Sequence, residues 1–217
     1  MPDLAVAAVA LSKMARTLGL TRFSINEETR DYQDILERLV VDAANGNARR
    51  SAFVKEMQQE IIDRAETVYI EGLREAGREP PEITDDDQKR INDWILSQTS
   101  SVGAFVDDAM AVAELTGDER TEARNAMLDR VGVWVQALDW LGGIAKLEEL
   151  GNIYLTFDGD DGKESCVQCQ VYKGQRHKRS WWESRGLLER NGNLNFDCGR
   201  WENCQHNYYD DDGEMIL

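Results

Sequence analysis

The first 165 residues of this 217-residue chain contain no cysteine and no histidine. Thiol and imidazole chemistry is therefore absent from most of the chain, which offers helices and charge but few reactive side chains. All four cysteines and both histidines lie after that point. Because chance scatter is a poor explanation for this concentration, we expect the chemically informative part of the molecule to follow residue 165.

Basic residues are also scarce, with 25 Lys and Arg against 41 Asp and Glu and a net charge of −16. Proteins that coat nucleic acids carry the opposite balance. The composition therefore argues against bulk binding to DNA or to an anionic membrane surface, although a local basic patch remains compatible with it.

Long apolar runs are missing, since none approaches the roughly 20 residues that a membrane span needs. Residues 4–11 resemble the apolar part of a signal peptide, but the preceding Met1, Pro2 and Asp3 include no basic residue. We therefore expect a helix in this segment rather than an export signal.

Proline, the strongest helix breaker, occurs only as Pro2, Pro80 and Pro81. Long helices can therefore fill the chain on both sides of a linker at residues 77–81. The three-and-four spacing of apolar residues predicts helices over residues 3–18, 27–44, 49–76, from the N-cap Thr84 onward, and over 119–149.

Glycines mark finer features of this helical region. Gly77 is a natural stop for the third helix. Gly117 and Asp118 predict a turn, whereas Gly142 and Gly143 are expected to weaken or bend the last long helix.

The pattern changes after residue 150. Residues 152–157 read as a strand and 158–162 as a turn. Residues 166–206 are rich in Gly, Asn and Trp and have little helical period. The acidic residues 210–214 predict a solvated tail.

The cysteines have the spacing of a metal site. Cys166 and Cys169 form a C-x-x-C knuckle, and Cys198, Cys204 and His206 follow within "CGRWENCQH". Thiolates with an imidazole suit tetrahedral zinc, which needs four ligands. The favoured set is the four cysteines, and the competing set replaces Cys198 or Cys204 with His206.

Four thiolates would close the metal site, so we expect the zinc to be structural rather than catalytic. Such an ion can supply an apparent binding free energy on the order of 10 kcal/mol to a loop-rich module. The alternatives are two disulfides, reduced buried cysteines, or a redox pair formed by Cys166 and Cys169. Metal analysis separates these cases.

His177 offers a nuclease interpretation, in which it would act with His206 and with Asn195 or Asn207. Its neighbours Arg176 and Lys178 supply no acidic partner, so a surface histidine in a basic loop is favoured.

The same stretch contains the chain's one basic cluster, beside two tryptophans. Basic and aromatic residues together can bind phosphate and stack on bases. In so acidic a chain, a protein contact or local packing is favoured over weak DNA contact through Lys173, Arg176, Lys178 and Arg179.

These patterns predict a mainly α protein: a helical bundle body with a small C-terminal α+β zinc-binding module. We divide it into an N-terminal helical region (1–79), a helical core (84–150) and a zinc-knuckle module with an acidic tail (151–217).

Two stretches, "ESCVQCQVYKGQRHKRSWWESRG" and "NLNFDCGRWENCQH", follow the helices and a strand. This order resembles the C-terminal region of phage Mu F-like minor head proteins, also called phage head morphogenesis proteins. Members typically carry a helical body, a C-x-x-C, a glycine, a Trp-containing segment and a closing Cys/His cluster. The matching positions, within residues 84–206, are Cys166, Cys169, Gly174, Trp181 or Trp182, Cys198, Cys204 and His206.

The resemblance implies a virion structural protein rather than an enzyme. Family members are internal head components that associate with the portal and assist capsid assembly or DNA packaging and delivery. We therefore expect portal and capsid proteins as partners, in the phage head interior and in the host cytoplasm during assembly. The alternatives are a zinc-containing nucleic-acid-binding protein and a metal-dependent nuclease.

Overall fold

The computed structural model describes residues 27–79, 82–158, 167–188 and 207–217. Four long helices come first: α1 (Glu27–Ala44), α2 (Arg50–Glu75), α3 (Asp85–Ala111) and α4 (Gly117–Leu150), with a 3-10 turn at Val112–Glu114. Shorter elements follow: β1 (Tyr154–Asp158), α5 (Val167–Tyr172), β2 (Arg176–Lys178), α6 (Arg179–Glu183) and β3 (Asn207–Tyr209). The fold is mainly helical with a small sheet, as predicted, while the helix expected over residues 3–18 lies outside the described residues.

The ends of α2 and α3 follow from local sequence. Gly77 has a φ of +95° and ends α2 because few other residues adopt this conformation. The amides of Arg78 and Gly77 donate to the carbonyls of Leu73 and Arg74, which is the Schellman arrangement. Thr84 begins α3 in a capping box with Asp87. The helix stop at Gly77 and the N-cap at Thr84 are therefore confirmed.

Helix α4 differs from the prediction at two points. It begins at Gly117, where a turn was expected, because the chain already reverses at Val112–Glu114. It also continues through Gly142 and Gly143 as a single helix. Both glycines lie at tight contacts, so their role in α4 is close packing rather than bending.

One hydrophobic core joins α1 to α4. Its buried residues run from Tyr32 to Ala145, on both sides of the linker, so the linker connects two helices of one core. Helix α4 contacts α2 and α1 most extensively. On α2 the buried residues keep the three-and-four spacing expected from the sequence: Phe53, Met57, Ile61, Ala65, Val68, Tyr69, Gly72 and Leu73.

A second, smaller core lies under the sheet, in residues 151–217, which we call the C-terminal module. The strand order is β2-β1-β3, and both pairs are antiparallel. Leu155, Phe157 and Tyr208 face inward and pack on Trp182 and on the end of α4 at Leu147. The strand predicted at 152–157 is confirmed over 154–157, and it extends to Asp158, where a turn was predicted. Short helices α5 and α6 occur where little helical period was expected.

Residues 210–214 are solvent-facing but do not form a tail, so that prediction is wrong in part. They make the turn of a hairpin that returns the chain to β3 through the bridge between Tyr209 and Met215. The Asp210 carboxylate accepts hydrogen bonds from the amides of Asp212 and Glu214. Such local bonds stabilise a turn, and a solvated tail would lack them.

Candidate functional site

The predicted zinc ligands fall almost wholly outside the described residues. This applies to Cys166, Cys198, Cys204 and His206, while Cys169 belongs to α5 by its backbone alone. Within the described ranges, no group of three or more His, Cys, Asp or Glu residues could hold a metal ion. The structural information on this site therefore comes from the residues that flank it.

The described residues that flank the two ligand-bearing segments lie at one end of the sheet. Asp158, which precedes the first segment, pairs directly with Asn207, which follows the second. Leu187, near the start of the second segment, accepts a hydrogen bond of 2.6 Å from the Tyr208 hydroxyl. Both ends of the second segment are therefore held at β3, which pairs with β1.

Helix α5, which carries Cys169, also returns to this end of the sheet. The amide of Gly174 donates to the carbonyl of Phe157 at 2.8 Å, and the rings of Phe157 and Tyr172 meet edge to face at 6.2 Å. Because α5 has only six residues, its start at Val167 lies within about 8 Å of Tyr172 along the helix axis. The C-terminal end of the helix that carries Cys169 is therefore held against Phe157 of β1.

An aromatic cluster supports this end of the sheet from below. Trp182 is fully buried and lies 5.9 Å from Phe157 and 5.3 Å from Tyr208, measured between ring centroids. Its indole N–H donates to the carbonyls of Leu155 and His177, each at 3.2 Å. The sequence placed Trp182 among matched positions of the resemblance, and the structure gives it a packing role.

His177 lies in β2 against an aromatic partner. Its ring stacks on Trp181 at 3.7 Å with 12° between the planes, and its Nε2 lies 3.1 Å from Gln175 Oε1. The Arg185 guanidinium lies 3.8 Å from the same indole. Since two groups this close cannot share one face, Trp181 is enclosed between them. These contacts are structural, and the nuclease partner His206 lies outside the described residues.

The basic cluster is largely engaged within the fold. Arg179 is the clearest case: its guanidinium pairs with Glu148 and Glu183 and donates to the carbonyl of Leu147 at 2.9 Å. Burial would lower the pKa of Arg179, but the hydrogen bonds that its guanidinium donates to Glu148 and Glu183 raise that pKa above its ordinary value. Arg179 thus attaches the C-terminal module to the last turn of α4, where its positive charge interacts favourably with the helix dipole.

Arg176 and Lys178 occupy the outer face of the sheet. Arg176 binds Asp211 through two hydrogen bonds of 2.7 and 2.6 Å and lies 3.9 Å from the centre of the Tyr154 ring. The hydrogen bond to Asp211 raises the pKa of Arg176, and the same bond lowers the pKa of Asp211. Lys178 lies over Tyr154 at 5.8 Å. Local packing, one of the predicted roles of this cluster, is therefore observed.

The most strongly perturbed described carboxylate is that of Asp87, in the first turn of α3. Burial would raise its pKa, but hydrogen bonds that Thr84, Arg78 and Tyr69 donate to the carboxylate lower it to about 2. Arg78 also pairs with Glu149 at 2.7 Å. This network joins α2, α3 and α4. We interpret it as structural, because the hydrogen bonds to the Asp87 carboxylate come from the helices themselves and from the residues at their ends.

No protein-family model matches the chain, and no significant match occurs among curated proteins or solved structures. The described helices include none that is long and apolar enough to cross a membrane.

Proposed function

We propose that this chain is a minor head protein of a tailed phage or prophage, in which a helical body carries a zinc-stabilised C-terminal module. The proposal rests on the order of motifs after residue 150 and on their resemblance to phage head morphogenesis proteins. The described fold is compatible with it, since a helical bundle precedes a small sheet. The role is binding to portal and capsid proteins, and no step of catalysis is assigned.

The observation that best supports the zinc module is the pairing of Asp158 with Asn207. Because of it, the segment that leads to Cys166 departs from the strand end at which the segment with Cys198, Cys204 and His206 returns. A thiolate-rich donor set fits zinc, and it closes the coordination sphere against water. The ion would then fix these two segments relative to each other.

The ion pairs of the basic cluster argue against the nucleic-acid alternative. Arg179 and Arg176 already hold carboxylates of this chain, so a phosphate would have to displace them. If DNA binding is the function, affinity should fall steeply with salt and disappear when Arg176, Lys178 and Arg179 are replaced.

The proposed role is tested with the portal protein of the phage or prophage whose genome encodes this chain. We expect the full-length protein to co-sediment with assembled portal rings, and the Cys166→Ser/Cys169→Ser variant to lose most of that association. Arg124→Gln, a change in α4 far along the sequence from the module, is the control. Absence of co-sedimentation with both portal and capsid protein would contradict the proposal.

A further inference from the structure

The hairpin formed by residues 210–217, which we call the strap, is firmly attached to β3. The amide of Ile216 donates to the carbonyl of Tyr208 at 2.7 Å, and the amide of Tyr208 donates to the carbonyl of Leu217 at 2.8 Å. Ile216 and Leu217 are both buried. Any displacement of β3 therefore moves the strap with it.

The strap contacts α4 at a position that only glycine allows. A β-carbon at Gly143 would lie 2.6 Å from the carbonyl oxygen of Ile216 and 2.7 Å from Cδ2 of Leu217. Distances this short are not tolerated between non-bonded atoms, so a larger residue would force the strap away. The backbones of the strap and of α4 are thus in direct contact.

The neighbouring residue of α4 makes an equally close contact on α2. A β-carbon at Gly72 would lie 2.1 Å from the carbonyl oxygen of Gly142. Two consecutive glycines of α4 therefore carry the two contacts, Gly142 with α2 and Gly143 with the strap. Because interiors are close-packed, a shift at one contact is transmitted to the other.

Lys146 connects the same three elements one turn further along α4. Its Nζ lies 3.8 Å from Glu75 of α2 and 3.7 Å from Glu214 of the strap, and its side chain is only 13% exposed. A small cavity of about 70 Å³ lies between these elements.

We infer that the strap is a conformational coupling device, through which the C-terminal module controls the tightness of the α2–α4 crossing. With the module in place, the strap presses on Gly143 and holds α4 against α2. When the module loosens, the strap leaves and the crossing opens locally. This inference concerns the described contacts and does not depend on metal binding.

Hydrogen exchange of the full-length protein tests the coupling. Gly143→Ala should displace the strap and raise exchange of the amides of residues 207–209. It should also raise exchange at residues 66–73 of α2 by about tenfold or more, with residues 53–57 of the same helix unchanged. Gly132→Ala is the matched control, because the same change in α4 there meets no atom within 4 Å.

The double change Ile216→Ala/Leu217→Ala provides a second route that leaves α4 untouched. The coupling predicts that this double variant also shows faster amide exchange at residues 66–73, as Gly143→Ala does. The coupling is overturned if the strap is released while α2 keeps its wild-type protection from exchange. It is also overturned if neither variant releases the strap, or if exchange rises equally throughout the molecule.

Discussion

The helical core and the C-terminal module are stabilised in different ways. Among the described residues, the core contains 28 buried hydrophobic residues, most of them aliphatic, whereas the cluster under the sheet contains nine. Small cores rarely stabilise a fold alone and usually need a metal, a disulfide or a neighbouring structure. The module has a neighbour in the end of α4, to which Arg179 and the strap attach it. It also carries the cysteines for which we propose zinc.

The largest expected effect comes from replacing Trp182, which should destabilise the C-terminal module much more than the helical core. Replacing this fully buried indole with alanine should destabilise the C-terminal module by about 3–5 kcal/mol, because it removes the centre of the aromatic cluster. Near-ultraviolet circular dichroism should lose the module's signal while the far-ultraviolet helix signal is largely kept. Cooperative loss of both signals would show that the two regions fold as one unit.

A smaller effect is expected within the helical core at Gly72. The added β-carbon of Gly72→Ala would meet the Gly142 carbonyl, and we expect a loss of about 2–3 kcal/mol in the free energy of unfolding. Urea denaturation measures it. Gly132→Ala should be neutral or slightly stabilising, since alanine favours helix there without a clash. Equal stability of the two variants would refute the close crossing.

The pH dependence of the core should come partly from Asp87. Its folded pKa of about 2 lies below the ordinary value of 3.8, so its ionised form stabilises the fold above pH 4. That contribution, on the order of 2 kcal/mol, is lost as the pH falls from about 4 to about 2. The Asp87→Asn variant should lose less stability than the wild type over this pH interval. Acid titration monitored by circular dichroism measures the difference. The exposed neighbour change Asp86→Asn should leave the wild-type profile, and an identical profile for Asp87→Asn would rule out this role.

The smallest effect belongs to the ion pair between Arg176 and Asp211 on the outer face of the sheet. Both side chains are about half exposed, so solvent weakens their attraction. Arg176→Gln should therefore leave the stability of the C-terminal module nearly unchanged in thermal denaturation. A large destabilisation would mean that the outer face is packed more tightly than this pair indicates.

The comparison also shows what sequence could predict. The positions of α1, α2, Thr84 and Gly77 follow from spacing and capping, which are local properties. The sequence did not reveal why Gly142 and Gly143 are glycines, because their contacts come from Gly72 and Ile216, far along the chain. The hairpin at residues 210–214 was missed for a similar reason, since its acidic composition hides a return to β3. For the basic cluster the sequence favoured a protein contact or local packing but could not name the partners, because Glu148 and Asp211 are distant along the chain.

The central proposal, a zinc-stabilised module on a helical body, is tested most directly by measuring the metal content of the purified full-length protein before and after chelation. The account predicts about one zinc per chain, held tightly, and selective loss of the C-terminal module on removal, with protease cleavage appearing within residues 150–206 while the helices persist. Cys166→Ser/Cys169→Ser should lose the zinc and show the same cleavage. A metal-free protein with an unchanged protease-resistance pattern would contradict the account.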